Sequence, residues 1–191
     1  MPNPLLTFKF TQPQPHAAAP FFMSNTNPYF RPNQPRLLRV ERAISSCLET
    51  YLVTLTTKRR LSSDTFANDV RETFNRVNGK LFGTAFKRGR NGHRVRLRSL
   101  AVQELTANDG LHTHLLVGVP DDSLNLRTTP CPIPVPELII QTWVAGDPHF
   151  RRREAQDVRP ITDFEGARSY IMKDIYTLAD FAERLDPTNT H

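Results

Sequence analysis

The chain has 191 residues and a formal charge of +6, and 38% of its residues are hydrophobic. That length suits one domain with a real core plus tails, and the positive charge favours a polyanionic partner. The two cysteines fit no metal-binding spacing and suggest a reducing compartment. No apolar run approaches the length of a membrane span, about 18 residues. The N-terminus shows no signal-peptide pattern. We therefore expect a protein of a reducing compartment, the cytoplasm, with no membrane partner.

The first 36 residues are rich in Pro, Asn and Gln. Because such a stretch cannot bury enough apolar surface to hold regular structure, residues 1–36 are predicted to form a flexible arm. The folded domain is expected over residues 37–185, and residues 186–191 are expected to form a flexible C-terminus.

Hydrophobic spacing predicts the elements of this domain in chain order. The first are a helix at 37–49 and a strand at 51–57. A helix capped by Ser63 or Asp64 follows and ends at about 79 or one turn beyond, with an apolar face of Phe66, Val70, Phe74, Val77 and Leu81. Then come strands at 101–105 and 111–119 around a turn at 107–110, a helix at 137–144, an edge strand at 157–161 and a helix capped by 162 or 163 that runs to 175. This order predicts an α+β domain built around a central, mostly antiparallel sheet with flanking helices.

A basic segment precedes the two central strands of this prediction. It contains Lys87, Arg88, Arg90, Arg94, Arg96 and Arg98. Such a charge run is either a solvated loop or a phosphate-binding surface. The alternation from 94 to 98 predicts three arginines on one strand face, which leads directly into the next strands. Phosphate contacts from that face would give DNA affinity without sequence preference.

Two histidines lie two residues apart on the predicted strand at 111–119. His112 and His114 therefore project from the same face, and antiparallel pairing could bring the carboxylate of Glu104 beside them. Two imidazoles and a carboxylate make a site for a divalent cation, with open positions for a substrate. Asp109 is the alternative carboxylate. The plain alternative is a pair of strand histidines that bind no ligand.

A second set of reactive residues lies on the last predicted helix. Tyr170 and Lys173 are three residues apart and so share one helical face. A phenol, with an ordinary pKa of about 10, is a poor nucleophile at neutral pH. A neighbouring ammonium favours the phenolate, and a bound divalent cation polarises a phosphate under attack. The alternative is an amphipathic helix packed on the core, in which Tyr170 has a structural role and its hydroxyl lies at the rim of the core.

Three stretches, in this order, resemble the motifs of the HUH endonucleases, the rolling-circle replication initiators of plasmids, phages and single-stranded DNA viruses. The strand at 51–57 lies where that family has its first motif. Leu111-His-Thr-His-Leu-Leu-Val resembles the family's His-hydrophobic-His motif, with Thr113 in place of an apolar residue. Arg168-Ser-Tyr-Ile-Met-Lys-Asp is similar to its third motif, where lysine follows the tyrosine by three residues. The resemblance spans about residues 50 to 176.

The resemblance implies a fold and a chemistry. The fold would be the ferredoxin/RRM-like HUH nuclease fold, with a metal site on one face of the sheet. His112 and His114 would bind Mg²⁺ or Mn²⁺, with Glu104 as third ligand. Tyr170 would attack a DNA phosphate, leaving a 5′-phosphotyrosine link and a free 3′-hydroxyl, and Lys173 would position or neutralise that phosphate. The partners would be single-stranded DNA at an origin or hairpin, with a host helicase and polymerase.

Two other functions fit the same residues. One is a non-catalytic, basic nucleic-acid-binding domain that acts as a replication regulator. The other is a metal-dependent phosphoesterase that activates water at the histidines and forms no covalent intermediate.

Overall fold

The computed structural model describes residues 34–87, 95–105, 110–120, 131–173 and 190. Its elements are α1 (Gln34–Ser45), β1 (Glu49–Thr56), α2 (Ser63–Phe82), α3 (Thr84–Lys87), β2 (Arg98–Leu105), β3 (Leu111–Val119), α4 (Val135–Gly146), a 3-10 helix (Arg153–Ala155), β4 (Asp157–Pro160) and α5 (Phe164–Ile171). The predicted α+β class and the predicted order of the main elements are confirmed.

The four strands form one antiparallel sheet in the order β2-β3-β1-β4. The central strands β1 and β3 pair over their whole length, with Thr54 opposite His114 and Thr56 opposite His112. On the other side of β3, Glu104 of β2 also lies opposite His112. Because side chains that face each other across a pair share a sheet face, these residues project together from one side.

Helices cover both faces of the sheet. On one face α2 and α4 bury the main core, in which Phe66 meets Trp143 edge to face, with ring centroids 5.7 Å apart. On the other face α1 and α5 cover only the part of the sheet around Leu100, Leu116 and Ile171. The histidines lie on this second face, where α5 reaches β3 and Tyr170 meets the ring of His114.

The long helix α2 follows the prediction closely. Its predicted apolar side chains are all buried, namely Phe66, Val70, Phe74, Val77 and Leu81. The N-cap is Ser62, one residue before the predicted cap, and its hydroxyl accepts from the amide of Thr65. The helix runs to Phe82 and ends where Gly83 adopts a φ of 52°, a value that glycine tolerates best.

Several predicted boundaries are wrong. The helix α1 begins at Gln34, inside the predicted arm, because a proline such as Pro35 is tolerated in the first turn of a helix. At the C-terminal end, α5 stops at Ile171, with Lys173 in the turn that follows. The predicted turn at 107–110 lies, except for Gly110, outside the described residues. The edge position predicted for β4 is confirmed, since it pairs with β1 alone among the described strands.

The predicted face of three arginines before β2 is also wrong. β2 begins only at Arg98, so Arg96 is not part of the sheet, and Arg94 lies outside the described residues. The segment before β2 is attached to the helical layer instead. The Val95 amide donates to the carbonyl of Ala85, and the Leu97 amide donates to the buried side chain of Asn78. These two bonds hold the segment away from strand pairing.

Candidate metal centre

The predicted ligand set comes together at the end of β3. The Nε2 atoms of His112 and His114 lie 3.0 Å and 3.1 Å from the same carboxylate oxygen, Oε2 of Glu104. One ligand atom from each residue lies within 4.8 Å of the others. Glu104 is therefore the carboxylate at the two imidazoles among the described residues, and Asp109 lies outside them.

The strand register explains this cluster. His112 and His114 share a face because they are two apart in β3, and their rings contact each other with centroids 4.7 Å apart. The residue between them, Thr113, points into the main core and is fully buried. Its hydroxyl donates to the Val102 carbonyl at 3.1 Å, which satisfies the one polar group that threonine adds there.

His114 is held from its other side by a residue that the sequence did not indicate. Thr54 Oγ1 lies 2.9 Å from His114 Nδ1. If Nε2 binds a cation, Nδ1 carries the ring proton and donates it to this hydroxyl, which fixes the ring orientation. The alternation along 51–57 predicted only that Thr54 shares a strand face with the residues two positions away. It could not predict the contact with His114, because the two residues are 60 positions apart in the chain.

Burial sets the charge state of His114. Desolvation lowers the pKa of His114 from 6.5, and the charge of His112 lowers it further, against the opposing effect of Glu104. The pKa shift favours the neutral imidazole near pH 7, which is the form that binds a metal ion. Only 4% of the surface of His114 is exposed, which accounts for the desolvation.

Tyr170 and Lys173 reach the same place, as the sequence predicted. The ring of Tyr170 lies edge to face with His114, with centroids 5.2 Å apart, and is 45% exposed. Lys173 Nζ lies 4.8 Å from the centroid of the Tyr170 ring and 3.7 Å from Oε1 of Glu104. The site thus combines an accessible phenol, an ammonium, two imidazoles and a carboxylate.

An ion pair between the two helices on this face holds α5 in place. Arg168 Nε donates to Glu41 Oε1 of α1 at 2.6 Å, and the Glu41 side chain is only 8% exposed. Ile171 packs into the same interface. Since Tyr170 lies between Arg168 and Ile171 in α5, this contact sets where the phenol points. No local pattern in the sequence indicated the pair.

Arg98, the last residue of the basic segment, lies away from this cluster. Arg98 lies on the same sheet face as Glu104 but six residues away along β2, a separation of about 20 Å. Lys87 ends α3, Arg96 is half-buried, and Arg88, Arg90 and Arg94 lie outside the described residues. DNA contact by the segment stays a prediction.

Other charged residues lie closer to the histidines than the sequence suggested. Asp157 and Arg159 of β4 pair with Thr54 and Leu52, and so project from the face of the metal ligands. They form an exposed ion pair in which Arg159 Nε lies 2.6 Å from Asp157 Oδ2. Such a pair contributes little to stability and is available to rearrange around a charged substrate.

Comparison with known proteins adds little. No protein-family model matches the sequence, and no curated protein is recognisably related to it. A crystal structure of the hypothetical protein ORF119 from Sulfolobus islandicus rod-shaped virus 1 aligns with 75% of this chain and 97% of its own, at 17% identity and a TM-score of 0.38. A likeness at that level supports no assignment of activity. Within the described residues, no helix is both long and apolar enough to cross a membrane.

Proposed function

We propose that this protein is a metal-dependent single-stranded DNA nickase and strand transferase that forms a 5′-phosphotyrosine intermediate. The observation that carries the proposal is the meeting of Tyr170 and Lys173 with the cluster of His112, His114 and Glu104. An accessible nucleophile and a cation beside a candidate metal site are the parts that phosphoryl transfer to a protein side chain requires. The resemblance of these residues to the HUH motifs supports the same reaction.

The donor set fits Mg²⁺ or Mn²⁺. Two imidazole nitrogens and one carboxylate oxygen lie within 4.8 Å of one another, and three protein ligands leave coordination positions of such a cation for water or substrate. The three side chains would hold the cation, which when bound would polarise a phosphate and neutralise charge that develops on it. Thr54 would keep the ring of His114 in the required orientation.

The chain's own residues account for the bonds made and broken. The Tyr170 oxygen attacks the phosphorus of a DNA phosphodiester and loses its proton to solvent. The bond from phosphorus to the 3′ oxygen breaks, and that oxygen takes up a proton as a free 3′-hydroxyl. Lys173, whose Nζ lies 4.8 Å from the centroid of the Tyr170 ring, would pair with the phosphate oxygens. Attack by another 3′-hydroxyl on the phosphotyrosine reverses the step and joins strands.

In this proposal the protein initiates rolling-circle replication of a mobile element, with its nick at an origin or hairpin and with a host helicase and polymerase as partners. We also propose that it acts in the cytoplasm, where the thiols of Cys47 and Cys131, which form no disulfide in the structure, stay reduced.

The decisive variant is Tyr170→Phe. It keeps the ring against His114 and removes only the oxygen that would form the new bond, so the variant should fold, bind Mn²⁺ and bind DNA. The assay incubates the protein with Mn²⁺ and single-stranded oligonucleotides of randomised sequence, then detects protein-linked DNA on a denaturing gel and maps the linked peptide by mass. The parent should form an adduct on Tyr170, and Tyr170→Phe should form none.

Tyr176→Phe is the matched control, because it removes the other phenol of the same stretch of sequence and should leave the adduct intact. An adduct on Tyr176, or an undiminished adduct in Tyr170→Phe, would refute the assignment. Cleavage without any adduct would favour the water-based phosphoesterase. Binding without cleavage at any metal concentration would favour the non-catalytic regulator.

The metal site has its own test. Calorimetric titration of the parent with Mn²⁺ should show about one site, and the double variant His112→Ala/His114→Ala should show none. Glu104→Ala checks the third ligand. Unchanged Mn²⁺ binding in the double variant would remove the metal from the proposed mechanism.

A further inference from the structure

An aromatic ring is displayed to solvent in the loop that follows α4. His149 and Phe150 are both exposed, and Phe150 keeps 43% of its surface in water. Single exposed apolar residues are common on proteins and need no explanation alone. What sets Phe150 apart is the way its loop is held and the charge around it.

The loop is held firmly on both sides of Phe150. The Phe150 amide donates to the Asp147 carbonyl at 3.2 Å, and its carbonyl accepts from the Lys58 amide at 2.9 Å. The next residue, Arg151, is buried, with its guanidinium 3.8 Å from the ring centroid of Trp143 and paired with Asp69. The ring of Phe150 is therefore presented from a fixed backbone, which lowers the entropy cost of binding a ligand against it.

Basic residues lie on both chain segments that adjoin Phe150, the end of β1 and the residues after the loop. Lys58, Arg59 and Arg60 are exposed directly after β1, and Arg152 and Arg153 are exposed directly after the loop. Three acidic residues oppose these five basic ones, since Asp147 pairs with Arg59 at 3.7 Å, Glu137 pairs with Arg153, and Glu154 is exposed. The patch therefore carries a net positive charge and attracts an anionic partner.

The patch lies at the end of the sheet that carries the candidate metal centre. Thr56 is opposite His112, and Lys58 follows it by two residues. The Thr56 carbonyl accepts from Trp143 Nε1 and from the Gln156 side chain, each at 3.1 Å. These bonds tie the end of β1 to α4 and to the segment after the loop, so the ring and the metal centre keep a fixed relation.

We propose that Phe150 and the surrounding basic side chains form a second binding site for single-stranded DNA, in which an unpaired base stacks on the Phe150 ring and Lys58 and Arg152 contact the adjacent phosphates. An aromatic face beside cationic side chains is the combination that binds single strands without sequence preference. A duplex is a poor occupant because its base faces are already stacked. The inference rests on the proposed function for the identity of the strand, which would continue from the phosphate at Tyr170.

Metal-free binding separates this site from the catalytic one. Affinity for a fluorescent single-stranded oligonucleotide of about 16 nucleotides, the upper end of single-strand site sizes, is measured by anisotropy in EDTA across a range of salt concentrations. Phe150→Leu should weaken binding about 5- to 150-fold, the fold-change for loss of one stacked base, with an unchanged salt slope. Lys58→Gln and Arg152→Gln should weaken binding and also flatten the salt slope, because each removes a phosphate contact.

Phe150→Trp keeps a stacking face, so it should bind at least as well as the parent and lose indole emission when DNA binds. Leu38→Ala, at a site with the same 43% exposure on α1, is the matched apolar control and should bind like the parent. Lys80→Gln on α2 is the matched charge control. Circular dichroism and urea unfolding confirm that each variant is folded.

A change of less than about twofold in folded Phe150→Leu would overturn the proposal, even if the lysine and arginine variants bind weakly. Equal loss of affinity for duplex and single strand would overturn it as well. Because the measurement uses no metal and leaves Tyr170 in place, a failure here is distinct from the absence of a Tyr170 adduct.

Discussion

The ion pair between Glu41 and Arg168 predicts a marked asymmetry between two variants. Arg168→Met leaves the Glu41 carboxylate, 8% exposed, without its counter-charge in the interface of α1 and α5. Glu41→Gln leaves Arg168, whose side chain is 30% exposed and can turn to water. The first variant leaves a buried charge unpaired, and the second does not.

The magnitudes follow from burial. Breaking a buried pair by removing one partner costs about 3–5 kcal/mol, so Arg168→Met should lower the free energy of unfolding by about 3 kcal/mol or more. Glu41→Gln should cost about 1 kcal/mol, the net value of an ordinary hydrogen bond. The double variant Glu41→Met/Arg168→Met should be nearly neutral, because apolar residues of similar size can replace the pair. For a chain of this length, about 3 kcal/mol corresponds to a fall in Tm of at least about 6 °C.

Two measurements test this reasoning. Urea unfolding ranks the three variants, and the rate of covalent adduct formation reports the position of Tyr170. The adduct rate should fall in Arg168→Met while Mn²⁺ affinity stays at the parent value, because the metal ligands lie on strands and not on α5. If Arg168→Met is no less stable than Glu41→Gln, or if adduct rate and metal affinity fall together, then the pair does not position α5.

Three further predictions follow from other contacts. Thr54→Ala should weaken Mn²⁺ binding by about 10- to 100-fold in calorimetric titration, because His114 loses the partner of its Nδ1, and Thr54→Ser should restore it. Asp69→Ala should lower the free energy of unfolding in urea by about 3 kcal/mol, because it leaves the buried guanidinium of Arg151 unpaired; a loss below about 1 kcal/mol would show that solvent screens the pair. Burial, with the hydrogen bond to Glu49, raises the pKa of Tyr51 from 10.0 to about 12, so the unfolded chain loses this proton first. Stability from Tyr51 should therefore be complete below pH 10 and be lost as pH rises from 10 to 12, and thermal unfolding of Tyr51→Phe should lack this alkaline loss.

Local patterns in the sequence were enough to predict the elements and the direction of their side chains. The alternation along 111–119 placed His112 and His114 on one face, because strand side chains repeat every two residues whatever the strand pairs with. The spacing of Tyr170 and Lys173 predicted that both would point the same way, and the structure confirms this even though α5 ends between them. The apolar face of α2 was predicted for the same reason, since helical period depends only on neighbours in the chain.

What the sequence could not supply was the arrangement of elements that are distant in the chain. The insertion of β1 between β3 and β4 puts Thr54 beside His114. The register of β2 decides between the two carboxylates that the sequence offered, because it sets Glu104 opposite His112, and it puts Arg98 at the far end. These pairings depend on which sheet buries the most apolar surface on both faces, a balance summed over the whole domain and not visible in any short window. The pairing of Glu41 with Arg168 has the same origin, because only the packing of α1 against α5 brings the two charges together out of water.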